Sequence, residues 1–442
     1  MSIPARRILD YIDQNQGELV QLLQTLVQTR SVNPWKDQTS EGEYRVAAII
    51  EERLVNLGFA VESFEVVQNR PNLVARLKGS GSGEGERERE KGREGGREAG
   101  GEGPSPGRRL LVNAHMDTHS IDRPDEWIAD PFGAEIIDGK IYGRGTCDHK
   151  SPIAAMLFAI QALQDTGVEL NGDLTYVFDS DEEGGGRFGM RHVIKRFDLA
   201  CDYALYACTT DIDEASQRFF SAMGEHNIIR ALSGSLHLAI SVQGQVYHPL
   251  TPKMDRNAVE TAAKLMPFLE EERDRANSFT DPVVGSGHQR MSISFIECGP
   301  REDRQADECK VHLLRRVDPS EDIAEVEAKL VNDIERWLKD TEITATVETI
   351  HRVPTVTVPE DSLLVRELRR AAVEATGIEP RVTGMPTPVG ISQMLASVNV
   401  PTVLFGYGLV NLHHAVNEHI AVEDLVNTAK VYALAIGRLL QP

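Results

Sequence analysis

The chain is poor in cysteine, in net positive charge and in long apolar stretches. Its five cysteines are odd in number and include no CxxC pair: Cys147, Cys201, Cys208, Cys298 and Cys309. Scattered cysteines of this kind indicate reduced thiols rather than a disulfide framework. We therefore predict a cytoplasmic protein.

No segment approaches the roughly 20 consecutive apolar residues that a membrane-spanning helix needs. The amphipathic N-terminal stretch carries acids and does not match a signal peptide. Lys and Arg number 47 against 68 Asp and Glu, so the net charge is -21. This charge repels phosphate backbones and anionic lipids, and we predict neither a nucleic-acid nor a membrane partner.

The chain of 442 residues is long enough for two domains, each with its own core. Strand and helix patterns alternate over most of its length, and polar residues gather where the strands end. These features predict an α/β fold with a mainly parallel central sheet and helices on both faces. In such a fold, ligands bind at the carboxyl edge of the sheet.

The pattern changes after about residue 216, where alternating strands and two long helices indicate an inserted α+β lid domain. We expect residues 1–215 and 353–442 to form the catalytic domain and residues 216–352 the lid. Residues 79–109 are rich in Gly, Glu and Arg and hold no large apolar side chain. They are predicted to form a disordered surface loop, because such a segment cannot repay the entropy of ordering.

Four motifs at predicted strand or loop ends carry chemically reactive side chains: HMDTH (115–119), GRGTCDHK (143–150), DEEGGG (181–186) and HHAVNE (413–418). Each has an ordinary structural explanation by itself, such as a helix cap at Asp148 or a solvated acidic loop at 181–183. Together they crowd carboxylates at one sheet edge, and these would repel one another unless cations compensate. Imidazole and carboxylate groups are suitable ligands for zinc, so the pattern predicts a pair of metal ions.

In this order and at these separations, the four motifs resemble the M20 family of dinuclear zinc aminoacylases and exopeptidases. That family includes glutamate carboxypeptidases, acetylornithine deacetylases and succinyl-diaminopimelate desuccinylases. The resemblance implies a homodimer formed through the lid and two Zn²⁺ per chain, with Co²⁺ as an alternative. It also implies the following roles: His115, Asp148, Glu183 and His414 as metal ligands with Asp148 bridging, Asp117 as the carboxylate orienting His115, Glu182 as general base, and His248 over the substrate carbonyl.

The chain departs from the family pattern at three places. The family usually has Glu-Pro-Thr after the strand that here spans residues 202–208, and this chain lacks that sequence. Strict alignment with the family motif places Cys208 at the position of the metal ligand. We prefer Asp211, three residues later, because oxygen ligation suits a carboxylate-rich site. DRQADEC lacks the family's lid asparagine, and GMPTPVGIS lacks its Thr-Asp. Arg316 matches the arginine near the substrate carboxylate, with a structural ion pair within the lid as the alternative.

The leading hypothesis is a metal-dependent hydrolase that cleaves an amide bond of a small peptide or an N-acyl amino acid. Two cations would bring the pKa of a shared water toward about 7, and Glu182 would carry its proton to the leaving amine. The departures also leave open a non-catalytic binding protein of the same fold. A mononuclear site is a third possibility, if Asp211 does not reach the metal.

Overall fold

The computed structural model describes residues 3–81, 107–244, 257–299, 306–341 and 343–441. Its helices are α1 (Ala5–Gln14), α2 (Gln16–Gln28), α3 (Tyr44–Asn56), α4 (Ser151–Asp165), α5 (Met190–Arg196), α6 (Ala258–Asn277), α7 (Ile323–Asp340), α8 (Leu363–Thr376), α9 (Gly390–Ala396) and α10 (Val422–Leu439). Within these ranges, none of the helices has the length and apolar character needed to span a bilayer.

The strands form a nine-stranded, a four-stranded and a three-stranded sheet. They are β1 (Ala60–Glu65), β2 (Pro71–Leu77), β3 (Arg109–His115), β4 (Glu135–Ile137), β5 (Lys140–Tyr142), β6 (Asp173–Asp179), β7 (Tyr203–Ala207), β8 (Asn227–Leu232), β9 (Gly234–Gln243), β10 (Met291–Gly299), β11 (Glu308–Val317), β12 (Ala345–Val353), β13 (Val356–Thr357), β14 (Arg381–Met385), β15 (Thr402–Phe405) and β16 (His419–Ala421).

The nine-stranded sheet has the order β1-β2-β6-β3-β7-β15-β8-β13, with β14 also beside β8. Its centre, β6-β3-β7-β15, is parallel, and antiparallel pairs lie toward its edges. One apolar core packs α1 to α4, α8 and α10 on one face, and a second packs α5 and α9 on the other. The predicted α/β class is confirmed. Helices cover both faces, so the carboxyl edge of the parallel strands is left for polar chemistry.

Helix α4 shows how the first core is built. Residues 151–160 are all buried, and the helix packs against α1, α2 and α10. A helix that is apolar on every side must lie inside the fold. Its N-terminus follows directly after Lys150, so the buried helix anchors the GRGTCDHK segment at the sheet edge.

The inserted domain is the antiparallel sheet β10-β11-β9-β12 with α6 and α7 packed on one face. Its first boundary differs from the expected residue 216, because β8 (Asn227–Leu232) pairs with β13, β14 and β15 of the nine-stranded sheet. β8 is a short buried strand without alternation, which gives little sequence signal. The chain passes into the lid between Leu232 and Gly234 and returns after Val353.

The cysteine prediction is corrected in part. Cys298 and Cys309 face each other across β10 and β11 and form a disulfide. Strand register brings them together, and their separation of 11 residues alone did not indicate it. Cys147, Cys201 and Cys208 are free thiols.

The predicted disordered loop at residues 79–109 falls mostly on residues 82–106, which lie outside the described ranges. Its two ends are close together on the surface. The Gly81 amide donates to the Asn171 carbonyl at 3.0 Å, and the Asp173 amide donates to the Arg108 carbonyl at 2.8 Å. Arg109, the last residue of the predicted loop, is the first residue of β3.

The Glu418 carboxylate joins two loops that carry predicted ligands. Its Oε2 accepts from Arg144 Nη1 at 2.6 Å, and its Oε1 accepts from the backbone amides of Gly145, Cys147 and Asp148 at 3.0, 2.8 and 3.1 Å. The side chains of Glu418 and Arg144 are almost fully buried. One carboxylate therefore holds the loop that carries Asp148 against the loop that ends at Glu418.

Substitution Glu418→Gln should lower the free energy of unfolding by about 3 kcal/mol, because the neutral side chain leaves the buried Arg144 guanidinium without its charge partner. Urea unfolding followed by circular dichroism measures the change. The exposed Glu423→Gln provides a matched control that should stay within about 0.5 kcal/mol of wild type. Equal stability of the two variants would contradict the assigned role of Glu418.

Asp179, the last residue of β6, is a buried acid in which only one carboxylate oxygen accepts a hydrogen bond from a described residue. Its Oδ1 accepts from Asn113 Nδ2 at 2.8 Å, whereas Oδ2 has no hydrogen-bond partner among the described residues. Burial raises the pKa of Asp179 from 3.8 to about 7, against the lowering effect of the Asn113 hydrogen bond. At pH 5, the Asp179 carboxyl therefore keeps its proton in the folded protein, whereas in the unfolded chain it has lost this proton.

The stability that this proton confers is present at low pH and is lost as the pH rises from about 4 through 7. Asp179→Asn in metal-free protein should become more stable than wild type as the pH rises, by up to roughly 4 kcal/mol at pH 8. Urea unfolding at pH 5, 6, 7 and 8 measures the difference. The exposed Asp125→Asn should show no such trend, and a pH-independent difference for Asp179→Asn would refute the assignment.

Candidate metal centre

β3 delivers His115 to the carboxyl edge of the central sheet. Its Nδ1 lies 3.0 Å from the Asp117 carbonyl and 3.3 Å from Asp117 Oδ1, and its Nε2 lies 3.2 Å from Asp148 Oδ1. Burial lowers the pKa of His115, but the hydrogen bonds with the two aspartates outweigh it and hold the pKa well above 6.5. The imidazole is therefore orientated by one carboxylate and faces another.

Asp117 is fully buried and organises the turn that follows β6. Its Oδ1 accepts from the Glu182 amide at 3.1 Å, and its Oδ2 accepts from the Glu183 amide at 3.0 Å and from Asn33 Nδ2 at 2.7 Å. Burial raises the pKa of Asp117. The contact with His115 and the hydrogen bonds from Asn33 and from the backbone amide of Glu183 outweigh burial and bring this pKa below its ordinary value. One carboxylate thus sets the positions of His115 and of both glutamates.

The turn at residues 181–183 is anchored from a second side by a buried ion-pair network. Arg70 contacts Asp181 Oδ1 at 2.9 Å and Glu43 Oε1 at 2.6 Å, and both acids have fully buried side chains. Asp181 has a left-handed backbone with φ of 66°, and its Oδ2 accepts from the Phe188 amide at 3.0 Å. These contacts fix the course of the chain on both sides of the two glutamates.

Asp148 lies between two sets of histidines, and its two oxygens face different sets. Oδ1 lies 3.2 Å from His115 Nε2 and 3.1 Å from His149 Nε2, whereas Oδ2 lies 3.0 Å from His414 Nε2 and 3.6 Å from His413 Nδ1. Burial raises the pKa of Asp148, but the surrounding imidazoles hold it well below 3.8. A carboxylate in this position would be able to contact two cations at once.

Glu183 faces Asp148 across His414. Its Oε1 lies 3.0 Å from His414 Nε2, and only 4% of its side-chain surface is exposed. Contacts with Asp148 and Glu183 raise the pKa of His414 to about 10. His119 lies beside this pair, with its ring stacked 4.3 Å from that of His414. His119, Glu183 and His414 each offer a ligand atom within 4.8 Å of the others.

Glu182 lies among these groups without joining the two clusters of ligand atoms. Burial raises its pKa to about 8, and His115 opposes this shift while Glu183, Asp148 and Asp117 reinforce it. A carboxylate with a pKa near the working pH can both take up and release a proton, as the predicted general base must.

The residues in place fit a pair of divalent cations. His115, Asp148 and His149 form one buried group of ligand atoms, and His119, Glu183 and His414 form another. Ligand atoms about 2.0–2.1 Å from a tetrahedral zinc ion lie roughly 3.3 Å apart, close to the 3.0–3.2 Å contacts of Asp148. The nitrogen and carboxylate donors also suit zinc or cobalt better than calcium.

Asp211 is not brought to this cluster. Its Oδ1 accepts from the Asn227 amide at 3.0 Å and its Oδ2 from the Gly408 amide at 3.2 Å, and burial raises its pKa to about 7. Among the described residues, Asp211 belongs to neither group of ligand atoms, so the preference for it as a ligand is corrected. Cys208 is buried at the end of β7, where burial and then the charge of Asp148 raise the pKa of its thiol. Among the described residues, neither is part of a group able to hold a metal.

The two residues predicted to bind substrate are not joined to the cluster by the described contacts. His248 lies outside the described ranges. Arg316 lies on β11, its amide donates to the Arg290 carbonyl at 2.6 Å, and burial lowers the pKa of its guanidinium. None of the hydrogen bonds or ion pairs between described residues links Arg316 to the candidate metal centre, so its role remains a prediction.

Sequence reasoning missed His119 and His149 as candidate ligands. Both belong to the motifs already singled out, His119 as the last residue of HMDTH and His149 directly after Asp148. The signal was the presence of an additional histidine in each of these two motifs, and it had no clear meaning without the fold. Asn33 was also missed, because nothing in its neighbourhood predicts a contact with a residue 84 positions away.

Comparison with known proteins agrees with this geometry. Residues 111–438 match the model of peptidase family M20/M25/M40. The chain is 27% identical over 440 residues to N-formyl-4-amino-5-aminomethyl-2-methylpyrimidine deformylase of Halalkalibacterium halodurans, covering 96% of this chain and 94% of that protein. It is 24% identical to acetylornithine deacetylase of Proteus mirabilis, covering 96% of both chains.

The fold is also shared with an M20 family metallo-carboxypeptidase from Sulfolobus solfataricus. The TM-score is 0.67 at 18% identity, and the match covers 96% of this chain and 99% of that one. The resemblance inferred from the four motifs is confirmed, and so is the expectation of a metal-dependent amide hydrolase. Motifs, sheet topology and family match agree along the chain, which belongs to peptidase family M20/M25/M40.

Proposed function

We propose that this protein hydrolyses the amide bond between a short acyl group and the nitrogen of a small amine or amino acid, using two zinc ions. The observation that carries the proposal is the position of Asp148, whose two oxygens face two separate groups of histidine and carboxylate ligands. Cobalt is a workable substitute, because the same donors suit it. The relatives named as a deformylase and a deacetylase support the N-acyl substrate class.

Ions held by these residues would act as Lewis acids and make water available as a nucleophile near neutral pH. The chain's own residues supply the remaining requirements. Asp117 and the Glu418 network hold the ligands in place before substrate arrives, which reduces the reorganisation needed during the reaction. Glu182 takes a proton at its carboxylate from the attacking water and then gives it to the leaving nitrogen.

We propose that the rest of the substrate lies in a cavity that includes Ser120, the residue after His119. This cavity measures about 860 Å³ and is lined by Arg30, Lys36, Ser120 and Phe132 among others. Ser120 follows His119 directly, and the charge of Lys36 acts on the pKa of His119. The lining also includes Asp37, Glu41 and Asp122, so the cavity offers both signs of charge to a substrate.

The competing hypothesis, a non-catalytic binding protein, leaves Glu182 without a use. Its carboxylate is buried among other acids, and this raises its pKa to about 8. Among the described residues, Glu182 forms no ion pair and belongs to neither ligand group, and a binding protein would gain nothing from such an acid. The arrangement is useful where a proton must be moved, and this favours hydrolysis.

The direct test is turnover of zinc- or cobalt-loaded protein on N-formyl, N-acetyl and N-succinyl amines, N-acyl amino acids and dipeptides. Glu182→Gln should lower kcat by roughly 10²–10⁴-fold while metal content stays unchanged. The exposed Glu135→Gln is the control and should retain full turnover. Thermal shifts without turnover of any compound would favour the binding protein, and unchanged turnover by Glu182→Gln would exclude it as the base.

The protein is further proposed to be a homodimer formed through the inserted domain. β10 is an edge strand of the lid sheet, and its Ile296 side chain is 47% exposed. Unpaired edge strands with exposed apolar side chains are common places of association. Cytoplasmic location remains a prediction from the scattered cysteines, three of which are free thiols.

Light scattering after size exclusion should give twice the chain mass of 48.9 kDa. Ile296→Asp should shift the protein toward the monomer, because association would bury the new charge. Ile136→Asp, on the equally exposed Ile136 of β4, should leave the mass unchanged. A wild-type mass of one chain at micromolar concentration would refute the proposal.

A further inference from the structure

The first group of ligand atoms lacks the carboxylate expected after β7. The thiol Cys208 occupies that position, and Asp211 directs both oxygens to backbone amides. Among the described residues, neither Cys208 nor Asp211 belongs to a group of ligand atoms able to hold a metal, so without a replacement the first ion would be held only by His115 and by one oxygen of Asp148. Two protein ligands are fewer than the three that catalytic zinc sites usually have.

His149 is placed to supply the missing ligand. Its Nε2 lies 3.1 Å from Asp148 Oδ1, and its ring centroid lies 4.4 Å from that of His115. Only 7% of its side-chain surface is exposed. Ligand atoms of His115, Asp148 and His149 all lie within 4.8 Å of one another, so a single ion could contact all three.

The two nitrogens of His149 are used differently. Nδ1 lies 3.3 Å from the Tyr206 hydroxyl on β7, which orients the ring. Nε2 is buried and makes no hydrogen bond with a described residue, although Asp148 Oδ1 is only 3.1 Å away. The nitrogen is close to a carboxylate oxygen but lacks hydrogen-bond alignment with it. This arrangement is expected where both atoms face a metal ion. Ligating histidines usually have their second nitrogen fixed in this way.

We propose that His149 is the third protein ligand of the first metal ion, in place of the carboxylate that is absent after β7. The inference rests on the proposed function, because it assigns a donor within the same dinuclear centre. The first ion is then bound by two imidazoles and Asp148, and the second by Glu183, His414 and Asp148.

The replacement exchanges a negatively charged ligand for a neutral one. The first ion therefore retains more of its positive charge and polarises a nearby carbonyl more strongly. A nitrogen-rich donor set also favours zinc, cobalt or nickel over manganese and magnesium. The first site should consequently discriminate between metals more strongly than the second.

The test is metal binding, independent of turnover. Wild type should bind two zinc ions per chain by elemental analysis, and titration against a chelator should give two dissociation constants. His149→Ala should raise the constant of one ion by about 10–100-fold or more and leave the other unchanged. His149→Asp should restore binding of both ions, because it returns a carboxylate to the first site. His192→Ala, on α5, is the control and should bind as wild type.

A second measurement avoids dependence on the folding of the His149 variants. His414→Ala should retain one zinc ion, which X-ray absorption should show bound by two imidazoles. The inference would be overturned if X-ray absorption showed only one imidazole on that ion, or if His149→Ala bound two ions with wild-type affinity. Either result would leave the proposed hydrolase function intact. Wild type that binds no ion would overturn both.

Discussion

The rest of the site depends on one constraint, which is that the Asp148 carboxylate must face two sets of imidazoles at once. Its oxygens lie within 3.0–3.2 Å of His115, His149 and His414. These three histidines come from a strand end, from the residue beside Asp148 and from a loop near the C-terminus. A carboxylate in this position is stable only if positive charge surrounds it, so protonated imidazoles or bound cations are required. The crowded acids and the histidines are thus two parts of one electrostatic arrangement.

The fold meets this constraint with hydrogen bonds that fix the backbone around the candidate ligands without a bound metal. Asp117 accepts the amides of Glu182 and Glu183, and Glu418 accepts the amides that lead to Asp148. Both carboxylates are fully buried and act on residues far away in sequence. Hydrogen bonds to buried charged groups are stronger than those at the surface. The candidate ligands are therefore held in place by two acids that belong to neither group of ligand atoms among the described residues.

The proposed role of His149 would explain how the site keeps three protein ligands for the first ion without the family's carboxylate after β7. Cys208 stands at the expected ligand position, and Asp211 accepts hydrogen bonds from backbone amides. The Nε2 atom of His149, by contrast, lies 3.1 Å from Asp148 Oδ1. This role for His149 would need no movement of the main chain, because His149 directly follows Asp148. With His149 as the ligand, the arrangement of the centre would stay the same while the charge of one ligand changes. Such an exchange would alter metal preference more than the reaction itself.

The sequence by itself determined the α/β class and the motifs that form the candidate metal centre. These follow from local periodicity and from residue types with few alternative uses. Only the tertiary structure decided that β8 joins the catalytic sheet, that Cys298 pairs with Cys309, and that Asp211 turns away while His149 turns in. Each of these depends on strand register or side-chain direction between distant segments. Local pattern carries no information about either, because contacts between residues far apart in sequence are set by how the whole chain packs.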